Sequence, residues 1–315
     1  MQTLLRIGAR GSPLSLAQTR HVRARLAGVL GVPEAEIEAR LPITPLTTTG
    51  DRITEVRLIE AGGKGLFTKE LDEALLDGRI DAAVHSLKDL PTHLPAGLTL
   101  ACTPEREDVR DAFLSREAER FEDLPHGAVL GTASLRRQAQ CLHRRPDLVV
   151  RTLRGNVQTR LDKLAAGEAD ATFLAVAGLK RLGLAAHARS LLDPEAFPPA
   201  VGQGALAITA RAEDARTRDL LARIEQPDVR LEIEAERGFL AAAEGSCRTP
   251  IAAFVRRDGK ERVLIGEALT PDGARRWRGE VRLGCYGVAA CWSRGFELGK
   301  SLREQAGDAW PRDHA

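Results

Sequence analysis

The chain has 315 residues, which exceeds the size of one ordinary domain and indicates two or three. Hydrophobic residues make up 43% and charged residues 29%, a balance that excludes a disordered or fibrous protein. The formal net charge is only +2, so the broad positive field of a nucleic-acid-binding protein is not expected.

Two further features bear on location. Residues 1–10 contain no apolar run of signal-peptide length, and no later stretch approaches the length of a membrane span. The five cysteines are odd in number and widely spaced, which favours reduced thiols over a disulfide framework. We therefore expect a soluble, cytoplasmic protein with neither a membrane nor a nucleic acid as its partner.

Short apolar runs alternate with amphipathic stretches over the first two-thirds of the chain, which predicts βαβ units. After a strand at 4–7, Ser12 and Pro13 predict the N-terminus of a helix. Later helices are predicted at 69–76, 135–142 and 156–164, and strands at 81–84, 128–131 and 171–176. The apolar run Phe173–Leu179 is typical of a buried strand.

Residues 76–82 resemble residues 165–171: each segment is a helix end, a glycine, two residues and then Asp-Ala entering an apolar run. Two copies of one supersecondary unit predict two similar lobes with a ligand in the cleft between them. Chance is the alternative, because glycine-capped units of this kind recur in α/β proteins.

The sequence pattern changes near Leu231, which indicates a further domain. Candidate linkers between the earlier domains lie at 103–110 and 194–204. A helix at 232–243, a small-residue loop at 244–250, and strands at 251–255 and 263–268 predict a small α+β domain. A further helix is predicted at 294–305.

Cationic residues recur where predicted strands end or helices begin. Helix N-termini bind anions, and strand ends of an open α/β sheet converge on one crevice, so this pattern predicts a polyanion site. For any single arginine, a solvated surface position is the alternative. The segments are Arg10-Gly11-Ser12, Lys88-Asp89, Arg136-Arg137, Arg154-Gly155-Asn156 with Arg160, and Lys180-Arg181.

Asp89 is the lone acid in this basic set. It can stabilise a developing cation, or it can form a salt bridge with Lys88 or Arg10. Cys247 lies in a small-residue loop beside Arg248 and is either a reactive thiolate or an inert free cysteine. His85 is expected to be a hydrogen-bonded core residue, and no metal-ligand spacing is present.

Residues 62–65 read Gly-Gly-Lys-Gly but lack the spacer and the hydroxyl residue of a nucleotide-binding loop. They predict a flexible loop that can act as a lid.

Taken together, the ordered motifs resemble those of the porphobilinogen deaminase (hydroxymethylbilane synthase) family. The resemblance covers about residues 4 to 280. It is carried by residues 10–14, 62–67, 83–91, 131–138, 153–157, 174–182, 199–205 and 245–247.

The resemblance implies an α/β fold with two periplasmic-binding-protein-like lobes with mixed sheets plus a small α+β C-terminal domain. The first lobe is expected at 1–104 and 203–222, the second at 108–198, and the third domain at 227–315. A monomer is the expected oligomeric state.

The resemblance also implies a covalent dipyrromethane cofactor, one per chain, joined by a thioether to Cys247. On this primer the family joins four molecules of its substrate, porphobilinogen, head to tail with loss of ammonia, and then releases hydroxymethylbilane. Asp89 matches the catalytic aspartate, and Lys64 and Phe67 belong to the lid. The residues implied in cofactor and substrate binding are Arg10, Ser12, Lys88, Thr132, Ser134, Arg136, Arg137, Arg154, Arg160, Arg181 and Gln203.

Two segments depart from the family pattern. Glu60 precedes the lid where relatives often carry a lysine, and the stretch from about residue 283, with Cys285 and Cys291, has no clear counterpart. Two alternatives to the enzyme stay open: a non-catalytic anion-binding receptor or sensor, and a folded but inactive homologue. The sequence lacks a signal peptide and a helix-turn-helix and retains Asp89, Cys247 and the arginines, which argues against both.

Overall fold

A computed structural model describes residues 2–49, 67–245, 249–259, 261–284 and 287–311. The strands are β1 Ile7–Arg10, β2 Ile43–Leu46, β3 Ala82–Ser86, β4 Leu98–Cys102, β5 Asp111–Ser115, β6 Val129–Gly131, β7 Val149–Arg151, β8 Ala171–Ala175, β9 Ser190–Leu191, β10 Leu206–Arg211, β11 Ile251–Asp258, β12 Glu261–Leu269 and β13 Arg276–Arg282. The helices are α1 Pro13–Leu30, α2 Ile37–Arg40, α3 Lys69–Leu76, α4 Leu135–Arg144, α5 Val157–Ala165, α6 Val176–Arg181, α7 Ala215–Ala222, α8 Pro227–Ala242 and α9 Val288–Ala306. Within the described ranges, no helix combines the length and the apolar character needed to cross a bilayer.

The first compact unit comprises residues 2–49, 67–107 and 205–230. Its described strands form one sheet in the order β2-β1-β3-β10-β4. Strand β1 is parallel to β2 and β3, whereas β10 is antiparallel to both of its neighbours. The sheet is therefore mixed, and one of its inner strands comes from a distant part of the chain. Its core includes Leu5, Ile7, Val22, Leu26, Val84 and Ile208.

The second compact unit comprises residues 108–204 and the described residues from 231 onward. One of its sheets has the order β7-β6-β8-β5-β9, with β6 parallel to β7 and β8 and with β5 antiparallel to β8. The other is the antiparallel sheet β11-β12-β13, which shares a core with α8 and α9. Two mixed α/β sheets and a small α+β region confirm the predicted fold class.

The two α/β sheets repeat one local arrangement, as the similarity of 76–82 and 165–171 predicts. Asp81 Oδ2 accepts a hydrogen bond from the backbone N–H of Arg6 at 2.8 Å. Asp170 Oδ2 accepts one from the backbone N–H of Val129 at 2.7 Å. Each aspartate thus fixes the start of its strand, β3 or β8, beside the neighbouring parallel strand. Residues 76–82 and 165–171 are therefore similar in structure as well as in sequence.

The prediction of one buried strand at Phe173–Leu179 is wrong beyond Ala175. Strand β8 ends there and helix α6 begins at Val176, whose N–H bonds to the carbonyl of Arg110. A short apolar run has the same appearance in a buried strand and in a buried helical turn, and here it contains both. The strand predicted at 4–7 is also displaced, because β1 begins at Ile7 and ends at Arg10. The backbone N–H groups of Leu4 and Leu5 instead donate to the carbonyl of Arg40.

The C-terminal helix α9 packs against α8 through glycines. A Cβ on Gly295 would overlap the carbonyl oxygen of Ala235, and a Cβ on Gly238 would overlap that of Trp292. The two helix backbones therefore touch directly. This contact gives the atypical C-terminal stretch a structural role, and α9 is longer than the helix predicted at 294–305.

The cysteines differ in state. Cys102 and Cys141 are buried and free, as expected for reduced thiols. Cys291, at the start of α9, is fully buried and disulfide-bonded, so the prediction of reduced thiols is wrong for this residue. Spacing along the chain did not reveal it because disulfide pairing depends on the folded backbone.

Candidate active site

In the first unit, predicted site residues follow two parallel strands. Arg10 ends β1, and Ser12 caps α1 by accepting a hydrogen bond from Ser15 N at 3.3 Å. Lys88 and Asp89 lie in the single 3₁₀ turn directly after β3, and both are exposed. Because β1 and β3 are parallel, their carboxyl ends lie at the same edge of the sheet. The structure therefore brings these residues to one edge.

A small cavity of about 60 Å³ lies at this edge, lined by Arg10, Ser12, Phe67, His85 and Asp89 among others. The guanidinium carbon of Arg10 lies 4.2 Å from the ring centroid of Phe67, a cation–π distance. A cation, a hydroxyl and a carboxylate thus border one space. Of the two predicted lid residues, Phe67 lies beside it and Lys64 is outside the described residues.

His85 is buried on β3, and its Nε2 lies 3.0 Å from Thr209 Oγ1. Burial, and to a lesser extent the charge of Arg10, lowers the pKa of His85 to about 4. The imidazole is therefore neutral near pH 7. The prediction of a hydrogen-bonded core histidine is confirmed.

In the second unit, the parallel strands β6, β7 and β8 also end at one edge. Thr132, Ser134, Arg136 and Arg137 follow β6, Arg154 and Arg160 follow β7, and Arg181 ends the helix after β8. The predicted placement of the cationic loops at strand ends is thus confirmed within each unit.

Local hydrogen bonds hold these loops. Thr132 Oγ1 accepts from Ser134 N at 3.1 Å, and Ser134 Oγ caps α4 by accepting from Arg137 N at 3.4 Å. Arg181 Nη2 donates to the carbonyl of Gly204 at 2.9 Å. Arg160 Nε makes a longer contact, 3.4 Å, with the carbonyl of Asn156, and both Arg154 and Arg160 are half-buried.

Three of the predicted residues converge on Asp111, the first residue of β5. Asp111 accepts from Arg136 Nη2 at 2.9 Å, from Arg137 Nη2 at 2.8 Å and Nε at 3.3 Å, and from Gln203 Nε2 at 2.9 Å. Asp111, Arg136, Arg137 and Gln203 are all at most 8% exposed. Gln203 also donates to the carbonyl of Val109 at 2.8 Å.

Burial alone would raise the pKa of Asp111, but the charges of Arg136 and Arg137 outweigh it and hold that pKa far below its usual range. One carboxylate against two guanidiniums leaves the cluster with one net positive charge. Nε of Arg136 is buried and has no hydrogen-bond partner in the structure as described. A cationic cluster with a vacant donor fits a ligand that brings a carboxylate.

Asp111 was missed from the sequence. The available signal was an acid at the first position of the apolar run Ala112-Phe113-Leu114, where an unpaired charge would be costly to bury. Its partners lie 25, 26 and 92 residues away along the chain, so no local pattern identified them.

Cys247 lies outside the described residues. The chain enters that region after α8, which ends at Ala242, and leaves it before β11, which begins at Ile251.

Comparison with known proteins decides the family. Residues 5–219 match the family described as porphobilinogen deaminase, dipyromethane cofactor binding domain, and residues 230–307 match porphobilinogen deaminase, C-terminal domain. The chain belongs to the porphobilinogen deaminase family. It is accordingly a transferase of tetrapyrrole biosynthesis that polymerises porphobilinogen, and it contains the family's dipyrromethane-binding domain.

Similar porphobilinogen deaminases occur in bacteria. The chain is 58% identical over 315 residues to that of Caulobacter vibrioides (strain NA1000 / CB15N), covering 98% of each chain. It is 57% identical over 317 residues to that of Phenylobacterium zucineum (strain HLK1), again covering 98% of each. A solved periplasmic substrate-binding protein of an ABC transporter from Coxiella burnetii is similar with a TM-score of 0.44 and 15% identity, over 71% of this chain and 93% of that chain.

Proposed function

We propose that this enzyme condenses four porphobilinogen molecules head to tail, with loss of ammonia at each step, and releases hydroxymethylbilane. Growth starts on one dipyrromethane per chain, joined by a thioether to Cys247. The observation that carries the residue assignment is the cluster of Arg136, Arg137 and Gln203 on Asp111, with its vacant buried donor. The enzyme works as a cytoplasmic monomer, with lobes at 1–104 plus 203–222 and at 108–198, and a cofactor-bearing domain at 227–315.

The arginines bind carboxylates. Every pyrrole of the cofactor and of the growing chain carries an acetate and a propionate, so each addition brings two negative charges. Arginine suits this task because its planar fork binds a carboxylate at two points. Arg136 and Arg137 hold the cofactor, with Thr132, Ser134 and Gln203 beside them. The carboxylates of the cofactor, the substrate and the growing chain are also bound by Arg10, Ser12, Lys88, Arg154, Arg160 and Arg181.

Asp89 is the catalytic residue. Loss of ammonia from porphobilinogen leaves a cationic azafulvenium, and a carboxylate at this position stabilises that cation and accepts hydrogen bonds from pyrrole N–H groups. The exposed position of Asp89 beside the Arg10 cavity supports this role, because the group can reach a bound substrate. Asp89 also moves the protons of deamination and of ring rearomatisation. The cofactor, when bound, supplies the pyrrole carbon from which the chain grows.

Lys64 and Phe67 belong to a lid over the substrate. The contact between the Phe67 ring and the Arg10 guanidinium supports this assignment, since a closing lid would bring the ring over the carboxylate-binding arginine.

The cofactor assignment is tested by intact mass. Protein purified from cells that make porphobilinogen should carry the added mass of two linked pyrroles, and Cys247→Ala should lack it. Cys102→Ala is the matched control, because Cys102 is a buried free thiol, and it should keep the added mass. An active, full-length chain without added mass would disprove the attachment.

The role of Asp89 is tested by turnover. Asp89→Ala should retain the cofactor mass and bind porphobilinogen but turn over at least ~100-fold more slowly, the lower end of general acid–base contributions. Asp77→Ala, an exposed acid paired with Arg79 on the same unit, should turn over normally. Near-normal turnover of Asp89→Ala would remove Asp89 from the mechanism.

A further inference from the structure

Besides Asp111, a second buried acid is linked to Arg136 by hydrogen bonds. Glu267, on β12, is 2% exposed, and its Oε1 accepts from Gln140 Nε2 at 2.9 Å. Its Oε2 accepts from Arg276 Nε at 2.8 Å. Gln140 in turn accepts from Arg136 Nη1 at 2.9 Å through its Oε1. A polar chain therefore runs from the α+β region to the arginine proposed to hold the cofactor.

Glu267 decides which way the Gln140 amide faces. A carboxylate offers only acceptors, so the NH₂ group of Gln140 must point to Glu267. The carbonyl of Pro198 accepts from the same NH₂ group at 2.9 Å and reinforces that orientation. The amide oxygen is consequently left facing Arg136, one turn earlier on α4. Gln140 is only 4% exposed, so water does not offer it an alternative.

Arg136 is thereby held from two sides. Asp111 accepts from Nη2, whereas Gln140 and the carbonyl of Pro198 accept from Nη1, the latter at 3.1 Å. The plane of the guanidinium is fixed, and Nε is the donor that stays vacant. A donor held in this way loses little conformational entropy when it binds a carboxylate.

The same sheet leads to the proposed attachment point. Glu267 on β12 is paired with Ala252 on β11, five residues after Cys247. Glu267 and Gln140 thus link the arginine proposed to bind the cofactor to the strand that follows the proposed attachment residue in the sequence.

We propose that Glu267 and Gln140 are positioning residues that align Arg136 with the cofactor during its attachment. This inference rests on the proposed role of Arg136. Among the described residues, the hydrogen bonds from Glu267 reach Arg136 through the Gln140 amide, so the effect of Glu267 should disappear when residue 136 cannot donate to that amide.

The test measures how fast the chain acquires its cofactor. Unloaded chain from cells that make no porphobilinogen is mixed with porphobilinogen, and the loaded fraction is followed by intact mass. Gln140→Leu, which removes the acceptor from Arg136, should load about tenfold more slowly. Glu267→Gln should load about threefold more slowly, because an amide at 267 can donate as well as accept and leaves the Pro198 carbonyl alone to orient Gln140. The second variant keeps the size and shape of the side chain and carries the test if Gln140→Leu fails to fold.

Gln138→Leu is the matched control. Gln138 lies on the same helix, but its side chain donates to the carbonyl of Pro271 at 3.1 Å and its backbone N–H to the carbonyl of Ser134. It should load at the parent rate.

The decisive comparison repeats Gln140→Leu in an Arg136→Met background, where residue 136 has no side-chain donor for the Gln140 amide. If Gln140 acts through Arg136, the two changes are not additive and Gln140→Leu has no further effect there. An equal slowdown in both backgrounds, or parent-rate loading of Gln140→Leu and Glu267→Gln alone, would overturn the inference while leaving the role of Arg136 intact. Parent-rate loading of Arg136→Met would instead refute the proposed role of Arg136, and the inference with it.

Discussion

Replacing Asp111 by alanine should destabilise the protein severely. The change removes the acceptor of four hydrogen bonds, from Arg136 Nη2, from Arg137 Nε and Nη2, and from Gln203 Nε2. It also leaves two guanidiniums, 5% and 8% exposed, side by side without their shared counter-charge. Breaking a buried pair by deleting one partner costs about 3–5 kcal/mol, and two stranded cations place Asp111→Ala at the upper end of that range.

The assay is urea unfolding of unloaded chain in a Cys247→Ala background, so that no bound cofactor adds to the stability. The midpoint of unfolding should fall markedly in Asp111→Ala. Asp123→Ala is the control, because Asp123 pairs with Arg120 at 3.2 Å on the surface, where the side chains are 42% and 69% exposed. Its midpoint should hardly move, since exposed ion pairs contribute little.

A loss of less than ~1 kcal/mol for Asp111→Ala, or a midpoint equal to that of Asp123→Ala, would refute this reasoning. It would mean that Arg136 and Arg137 are solvated or paired elsewhere, and that the buried cluster does not hold the loop after β6.

Three further outcomes are expected. The contribution of His85 to the free energy of unfolding should fall by about 3 kcal/mol as the pH drops from 6.5 toward 4, because the lowered pKa of this buried group lets the unfolded chain bind a proton first. The difference between the parent and His85→Gln in urea titrations at each pH isolates this contribution from that of Asp72, whose pKa is raised by burial to about 6 and which has the opposite effect. Gly295→Ala should lower the melting temperature, because the added methyl forces α8 and α9 apart and reduces the free energy of unfolding by about 2–3 kcal/mol. Gly287→Ala is the control and should leave the melting temperature unchanged, since the space around its Cβ is open. Phe67→Leu should raise the KM for porphobilinogen about two- to fivefold in steady-state assays, through loss of the cation–π contact with Arg10, and an unchanged KM would contradict that role.

Local signals in the sequence predicted local structure well. Ser12 was predicted at the start of a helix, and its side chain accepts a hydrogen bond from the N–H three residues later. The helix predicted at 156–164 begins one residue later than expected, because Asn156 is its cap and not its first residue. Capping depends on four consecutive residues, so it can be read without knowledge of the fold. The placement of the cationic loops followed from the same information, because a loop after a parallel strand lies at a known edge of the sheet.

Features set by distant contacts could not be predicted in this way. Strand β10 belongs to the first sheet although about a hundred residues separate it from β4. The Asp111 cluster joins β5, α4 and the segment at 199–204, and the link from Gln140 to Glu267 spans 127 residues. Only the folded chain brings such partners together. The roles of Asp89, Cys247 and the arginines stay predictions that the experiments above address.

The position of β10 has a consequence for synthesis of the protein on the ribosome. Within the first sheet, β10 lies between β3 and β4, so the strands before residue 107 cannot complete their pairing until the chain beyond residue 205 has emerged. At ~5–20 residues per second, the intervening residues 108–204 take about 5 to 20 seconds to make. Throughout that delay, β3 and β4 present unpaired edges, the feature of a nascent chain that invites aggregation. The N-terminal part of this enzyme is therefore made first but is completed only after the segment that follows it.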